Sequence, residues 1–262
     1  IAVYGLNTGV GWNKDKVVYA DRYDAYNKNL LRSHMIGVGP ECSIPEIRTI
    51  MAVRLNGFLC GHTGVAPEIV EYYVEFLNRG VHPVIKSRGS VGEADIATLP
   101  AIGLTAIGEG EAYYQGQRME SAKALELSGL KPLKLGPKDG LGIVSSNAQG
   151  AAFAAMGVIE AEQFIERYRK VFCLALEGLN GVLDPMDESV NRERGYQGQM
   201  ESARKCRELL KGSYLEKPWE GRALQDPLSF RCQSAITGSV MDALAYLKLQ
   251  LKVELKDRKS VV

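Results

Sequence analysis

The sequence offers little that would commit the protein to a metal, a membrane or a polyanion. Its five cysteines (Cys42, Cys60, Cys173, Cys206 and Cys232) are odd in number, irregularly spaced and without a Cys-x-x-Cys pair. They read as reduced, mostly buried thiols of a cytoplasmic protein, neither a disulfide framework nor a zinc site. The three histidines, His34, His62 and His82, are not spaced as a metal triad. With 32 basic and 31 acidic residues the formal charge is +1. That balance leaves no long-range field to gather nucleic acid or an anionic membrane surface. No apolar run approaches the roughly 20 residues of a membrane span, and no basic start with an apolar core marks a signal peptide. Any partner must therefore be recognised locally.

What is present is enough for a core. A chain of 262 residues that is 45% hydrophobic can bury a sizeable interior in one large or two ordinary domains, which excludes disorder. The first 40 residues, rich in glycine, asparagine and tyrosine, read as loops with short helices. Ser43-Ile44-Pro45-Glu46 has capping-box spacing, and Ile47, Ile50, Met51, Leu55 and Phe58 then mark one helical face up to about Gly61. Pro67 opens a second helix with Ile69, Val70, Tyr73, Phe76 and Leu77 inward and Gly80 at its C-terminal cap.

Further along, residues 80–92 read as a loop, and residues 93–112 as helix that Pro100 kinks or restarts. Gln117 to Ser128 reads as helix capped by Gly129, followed by an irregular connection. Ala148 to Glu177 reads as a long buried helix, and Asp184 to Arg194 as a polar loop. Gln199 to Leu210 is expected as helix, and Asp226-Pro227 as the N-cap and first residue of a last helix to about Leu255. Period-2 alternation is scarce, so the fold is expected to be mainly α. The echo of Tyr114-Gln115-Gly116-Gln117 in Tyr196-Gln197-Gly198-Gln199 is too short and too isolated for a repeat architecture.

Several segments carry chemistry. Tyr4-Gly5-Leu6-Asn7-Thr8-Gly9-Val10-Gly11 has three glycines, but Trp12-Asn13 follows where a phosphate loop needs Lys-Ser/Thr. Ser33-His34-Met35-Ile36-Gly37-Val38-Gly39, Lys138-Asp139-Gly140-Leu141-Gly142-Ile143-Val144-Ser145-Ser146-Asn147 and Gln225-Asp226-Pro227-Leu228-Ser229-Phe230-Arg231-Cys232 follow in order. Between the second and third lies Gly89-Ser90-Val91-Gly92-Glu93-Ala94-Asp95-Ile96. His62 reads as a packing residue and His82 as a loop residue.

Taken together these segments resemble the aromatic amino acid ammonia-lyases, the histidine and phenylalanine lyase family, over nearly the whole chain. The resemblance implies a long-helix bundle of the fumarase/aspartase type behind a loop-rich N-terminal part. Residues 1–150 are expected to form the loop-rich, short-helix active-site region, and residues 151–262 the long-helix bundle region, incomplete at its C-terminus. Family members are longer, so a chain running from Ile1 to Lys259-Ser260-Val261-Val262 reads as the front and middle of a larger lyase. A homotetramer whose sites combine several subunits is implied as well.

The resemblance also assigns roles. Tyr4 corresponds to the base that takes the β-proton, a phenol whose ordinary pKa near 10 must be lowered to work near neutrality. His34 corresponds to the histidine beside that tyrosine and the substrate carboxylate. Arg231 corresponds to the carboxylate clamp, suited to a two-pronged guanidinium, and Gln225 to a polar group on the substrate side. Counted from Lys138, Ser145 stands where the family has its functional asparagine, with Asn147 two positions later. Leu228 replaces a family tyrosine.

The largest departure lies at Glu93-Ala94. There the family's Gly-Ser-Val-Gly-Ala-Ser-Gly-Asp-Leu loop carries the triplet that cyclises and dehydrates to a methylidene-imidazolone electrophile. This sequence is one residue short, with Ala94 at the chromophore-equivalent position and no hydroxyl to eliminate. Losses fall on groups that serve the electrophile and departing ammonia, whereas the base and carboxylate-binding groups remain. A lyase without that activator, and so without a cofactor, needs a substrate with a ready leaving group, which a trimethylammonium betaine supplies. The resemblance is thus to the ergothionase branch, carbon–nitrogen lyases that remove trimethylamine from ergothioneine. Glu93 and the aromatic faces of Trp12 or Tyr23 are candidates to meet the cation. Two alternatives stand beside it: a histidine or aromatic amino acid ammonia-lyase or aminomutase with a cyclised triplet recorded as Ala94, and a catalytically inactive helical relative.

Overall fold

The computed structural model describes residues 1–218 and 221–255. The chain forms two compact units, one from Ile1–Ala154 with the segment that begins at Lys252, the other from Ala155–Leu251. The start of the first unit is loop with two 3₁₀ turns, Gly11–Asn13 and Ala20–Arg22. Then come helix α1 (Tyr23–His34), strand β1 (Val38–Glu41), helices α2 (Ile44–Leu59) and α3 (Pro67–Arg79), and strands β2 (His82–Pro83) and β3 (Lys86–Arg88). They are followed by α4 (Pro100–Ala106), β4 (Glu111–Tyr114), β5 (Gln117–Glu120), α5 (Ser121–Ser128) and α6 (Asp139–Val144). Helix α7 (Ala148–Leu179) begins in this unit and continues in the second. The second unit adds α8 (Glu188–Arg194), α9 (Gln197–Leu209), α10 (Leu228–Arg231) and α11 (Gln233–Glu254). The fold is mainly α, as expected. The C-terminal stop at Lys259-Ser260-Val261-Val262 lies outside the described residues.

Local chemistry explains the elements read correctly. Ser43 accepts the Glu46 N–H while the Glu46 carboxylate accepts the Ser43 N–H, so the capping box starts α2. Ile47, Ile50, Met51 and Phe58 then enter the core. Pro67 starts α3, whose Ile69, Tyr73 and Phe76 are buried and which ends on left-handed Gly80.

Other expectations are corrected. Residues 80–92 contain β2 and β3; β3 pairs antiparallel with β1, and β2 joins β4 and β5 in a three-stranded antiparallel sheet. Residues 93–112 are not one helix: only Pro100–Ala106 is helical, because Pro100 opens α4 and Asp95 is drawn into bonds elsewhere. Gln117–Glu120 is strand, since Gln115 and Gly116 both hold positive φ (50° and 78°), the two-residue turn that closes a hairpin. Its echo at Gln197 opens helix α9 instead. The polar loop at 184–194 folds as a 3₁₀ turn and α8. Asp226 does not cap its own helix: its carboxylate accepts the Val182 N–H at 2.7 Å. Pro227 precedes the short α10, and the helix is interrupted at Cys232 before α11. Helix α7 is buried on one side only, with Phe164, Val171 and Leu174 exposed. Of the five cysteines, Cys42, Cys173 and Cys206 are buried and Cys60 is exposed.

Candidate active site

The loop Gly89-Ser90-Val91-Gly92-Glu93-Ala94-Asp95-Ile96 is held by the start of α7. The Asp95 carboxylate, fully buried, accepts the N–H groups of Gln149 at 2.7 Å and Gly150 at 3.1 Å. A carboxylate at the N-terminus of a 32-residue helix satisfies unpaired amides and complements the helix dipole. The Asp95 N–H donates to the Ser146 carbonyl at 2.7 Å, and the Gln149 side chain bonds Thr98 and the Lys86 carbonyl. Above this anchor the loop turns on itself. Val91 N–H donates to the Ala94 carbonyl at 3.0 Å, and Gly92, at φ +87°, donates to Ser90 Oγ at 3.0 Å.

The loop forms one wall of a cleft of about 720 Å³ in the first unit. Tyr4, His34, Glu93, Ala94 and Ser145 all line it, with Trp12 and Tyr26. Helix α1 contributes Tyr26, Asn29, Leu30 and Ser33 from one face, and buried Asn27 ties α1 to α6 by accepting the Gly140 N–H at 2.8 Å. The Tyr4 phenol oxygen accepts the Gly11 N–H at 2.9 Å. His34 Nδ1 lies 2.8 Å from the Leu30 carbonyl; a carbonyl only accepts, so Nδ1 carries a proton and Nε2 is the ring nitrogen left for another partner. Burial holds the Tyr26 phenol above its ordinary pKa. Ser145 ends α6 in the cleft wall. Glu93 is exposed, Ala94 buried.

Other sequence candidates fall elsewhere. The Asn147 amide donates to Glu254 and does not line the cleft. Tyr23 lies outside the cleft wall, while Tyr26 one turn later lies in it. Arg231 and Gln225 belong to the second unit: Gln225 is exposed, Arg231 is half-buried and its Nε lacks a hydrogen-bond partner. His62 is exposed, not packed; it is Thr63 beside it that is buried. His82 is in β2, 3.2 Å from Arg48 and held below its ordinary pKa by burial first and by that cation second. Tyr26 and Thr63 line the cleft without a motif to announce them, and Lys138, the first residue of its motif, lines it without a role assigned from the sequence. Only the helical spacing of Tyr26 to Asn29, Leu30 and Ser33 signals the first.

A methylidene-imidazolone would need a serine hydroxyl to leave as water and a free backbone nitrogen to close the five-membered ring. Ala94 has no hydroxyl. The nitrogen that follows it, that of Asp95, is committed to Ser146, and the Asp95 side chain to α7. These residues do not fit the group. Among the described residues, no set of three or more His, Cys, Asp or Glu side chains is arranged to hold a metal ion, and no helix is long and apolar enough to cross a membrane.

Comparison with known proteins agrees with the motifs. The family model "Aromatic amino acid lyase" matches residues 1–258. Histidine ammonia-lyase of Geobacillus kaustophilus is 37% identical over 254 residues, 97% of this chain and 50% of that protein. Among solved structures, the ergothioneine-degrading ergothionase of Treponema denticola, in complex with desmethyl-ergothioneine sulfonic acid, is 51% identical with a TM-score of 0.94. That match covers 97% of this chain and 51% of that one. Phenylalanine aminomutase of Pantoea agglomerans is 28% identical with a TM-score of 0.91, over 97% and 52% of the two chains. The chain thus spans about half the length of the curated relatives it matches.

Proposed function

This chain belongs to the aromatic amino acid lyase family, and we propose that it is part of a carbon–nitrogen lyase that eliminates trimethylamine from an aromatic betaine such as ergothioneine. The family is associated with a self-derived methylidene-imidazolone. The observation that carries the proposal is the Glu93-Ala94-Asp95 sequence in the loop of that electrophile, bound to α7 and without a hydroxyl. A primary amine is a poor leaving group and needs covalent activation, whereas a quaternary ammonium leaves unaided and has no lone pair with which to engage an electrophile. The 51% identity to ergothionase supports the same choice.

In this reading Tyr4 removes the β-proton. The N–H of Gly11 donates to its oxygen and orients the phenol in the cleft, and His34 Nε2 accepts a proton or holds the carboxylate. The C–H electron pair becomes the new double bond, and the pair of the breaking carbon–nitrogen bond departs on trimethylamine. Glu93 faces the leaving cation by charge, and the rings of Trp12 and Tyr26 add cation–π attraction of about 0.5–2 kcal/mol. Arg231 clamps the carboxylate in bidentate fashion and Gln225 orients the substrate. Ser145 offers a hydroxyl where an ammonia-lyase has its asparagine. Arg231 and Gln225 are in the second unit; the family resemblance, not this division, suggests a homotetramer whose sites combine several subunits. The protein works in the cytoplasm on a small molecule.

The test is to incubate the full-length protein with ergothioneine and follow thiourocanate absorbance together with trimethylamine. Both products are expected, with no ammonia from histidine or phenylalanine. Ammonia from an amino acid, with an intact mass two waters below that encoded, would make the protein an ordinary ammonia-lyase.

A further inference from the structure

We propose that Gln233 and Phe230 are positioning residues for Arg231: they grip the chain on either side of it and fix where its guanidinium meets the substrate carboxylate. The inference rests on the assignment of Arg231 as carboxylate clamp and deepens it. Arg231 does little to hold itself. It is half-buried in the last turn of the four-residue α10, and its Nε has no hydrogen-bond partner among the described residues. A guanidinium rides on a long, flexible side chain, and a clamp ordered only on encounter binds more weakly than one already in place. Its order has to come from its neighbours.

Both sides supply it. Immediately before Arg231, the Phe230 ring lies 5.7 Å from that of Phe172 on α7, tilted by 40°, and packs on the apolar cluster of the second unit. Two positions after it, fully buried Gln233 opens α11. Gln233 Oε1 accepts from Cys206 Sγ of α9 at 3.6 Å, and its Nε2 donates to Thr237 Oγ1, one turn on, at 3.1 Å. Arg231 is thus tied to α7 through one neighbour and to α9 through the other. Between these anchors Cys232 interrupts the helix, its N–H bonded back to the Leu228 carbonyl at 3.0 Å and its carbonyl accepting the Ile236 N–H at 2.9 Å. What fixes this junction fixes Arg231.

The residue type at position 233 carries information. Cys206 belongs to a cluster with Phe172, Leu176 and Leu210, and an apolar side chain beside it would avoid burying an amide. What the amide adds is direction. Both of its ends are paired, so the first turn of α11 is held at one rotation against α9. A carboxylate clamp needs that definition, because a two-pronged pair tolerates little misplacement.

The experiment is a double-mutant cycle in the full-length protein with ergothioneine as substrate. Q233M, which keeps length without the amide, and C206A, which removes the donor, are expected to raise KM about 3- to 10-fold with kcat nearly unchanged. That is the range of one lost hydrogen bond, and the pattern of a group that binds ground and transition states alike. C206S keeps a donor and is expected to stay near wild type. L210A, a truncation in the same cluster, lowers the melting temperature and leaves KM in place. In an R231A background Q233M is expected to add nothing, because a residue that acts through Arg231 has nothing left to position; where turnover is too slow, calorimetric affinity for thiourocanate reads the same cycle. A full Q233M effect without Arg231 overturns the inference, as does an unchanged KM in Q233M and C206A, or an equal rise in L210A. If Q233M does not fold, C206A against C206S decides. An R231A enzyme with wild-type KM removes the clamp and the inference with it. A wild type that releases ammonia from histidine and no trimethylamine removes only the betaine reading, and the cycle is then run on histidine, which carries the same carboxylate.

Discussion

Tyr4 presents its phenol oxygen to the cleft with a single backbone donor upon it. Removing the hydroxyl takes away the proposed base and very little packing, because the residue is 40% exposed. Y4F is therefore expected to lower kcat by roughly 10²–10⁴, the usual contribution of a positioned base, while the thermal unfolding midpoint stays within a degree or two of wild type. Stopped-flow absorbance and calorimetry check the two halves; a tenfold loss or less returns the role to another group. At this scale the sequence was readable where a motif fixes chemistry and place together. Tyr4, His34, Glu93, Ala94 and Ser145 all reach the same cleft. It was opaque where a residue enters by tertiary accident. Thr63 comes from a turn after α2, and Tyr26 from a helix face that no motif marks. Asn147 shows the converse: the better-looking amide is taken by Glu254, and Ser145 holds the wall.

Elements whose ends are written in local chemistry were legible, as α2 and α3 show with Ser43, Pro67 and Gly80. Segments governed by distant partners were not. Residues 93–99 have helical composition, yet Asp95 gives its amide and carboxylate to the start of α7 more than fifty positions later. D95A strips two amides of a charged acceptor at once, and is expected to cost about 1–3 kcal/mol of stability. It should also loosen the Glu93-Ala94 turn, so urea titration and turnover ought to fall together. Unchanged urea resistance would mean that α7 does not need this cap. The short strand β2 carries a second prediction. Burial and Arg48 hold the half-buried His82 below its ordinary pKa, so the unfolded chain binds the proton more readily than the folded one. Its contribution is present above about pH 6.5 and is lost as pH falls below that value toward the folded pKa. H82Q is expected to flatten the drop in melting temperature between about pH 7 and 5.5, and an unaltered slope rules the histidine out as its source.

For the molecule as a whole, the informative surface is the face of α7 that nothing covers among the described residues. Phe164, Tyr168, Val171 and Leu174 recur at three- and four-residue spacing and are all exposed, with the rings of Phe164 and Tyr168 stacked at 6.2 Å. An apolar stripe of this length is what a helix offers to another helix, not to water. Composition read this helix as buried because alanine and large apolar residues dominate it; the period of the stripe was present in the sequence, but nothing among the described residues covers it. The proposed homotetramer supplies one. F164E/V171E in the full-length protein places two charges in that seam, and light scattering should show the assembly falling to smaller species. Trimethylamine release should drop with it, because the Arg231 and Gln225 side of a site built from several subunits is lost. If the stripe is instead covered by the rest of the same polypeptide, the variant loses its cooperative melting transition before any change in mass, and the two measurements separate these outcomes. A variant that keeps mass, melting and turnover would show that the stripe meets only solvent.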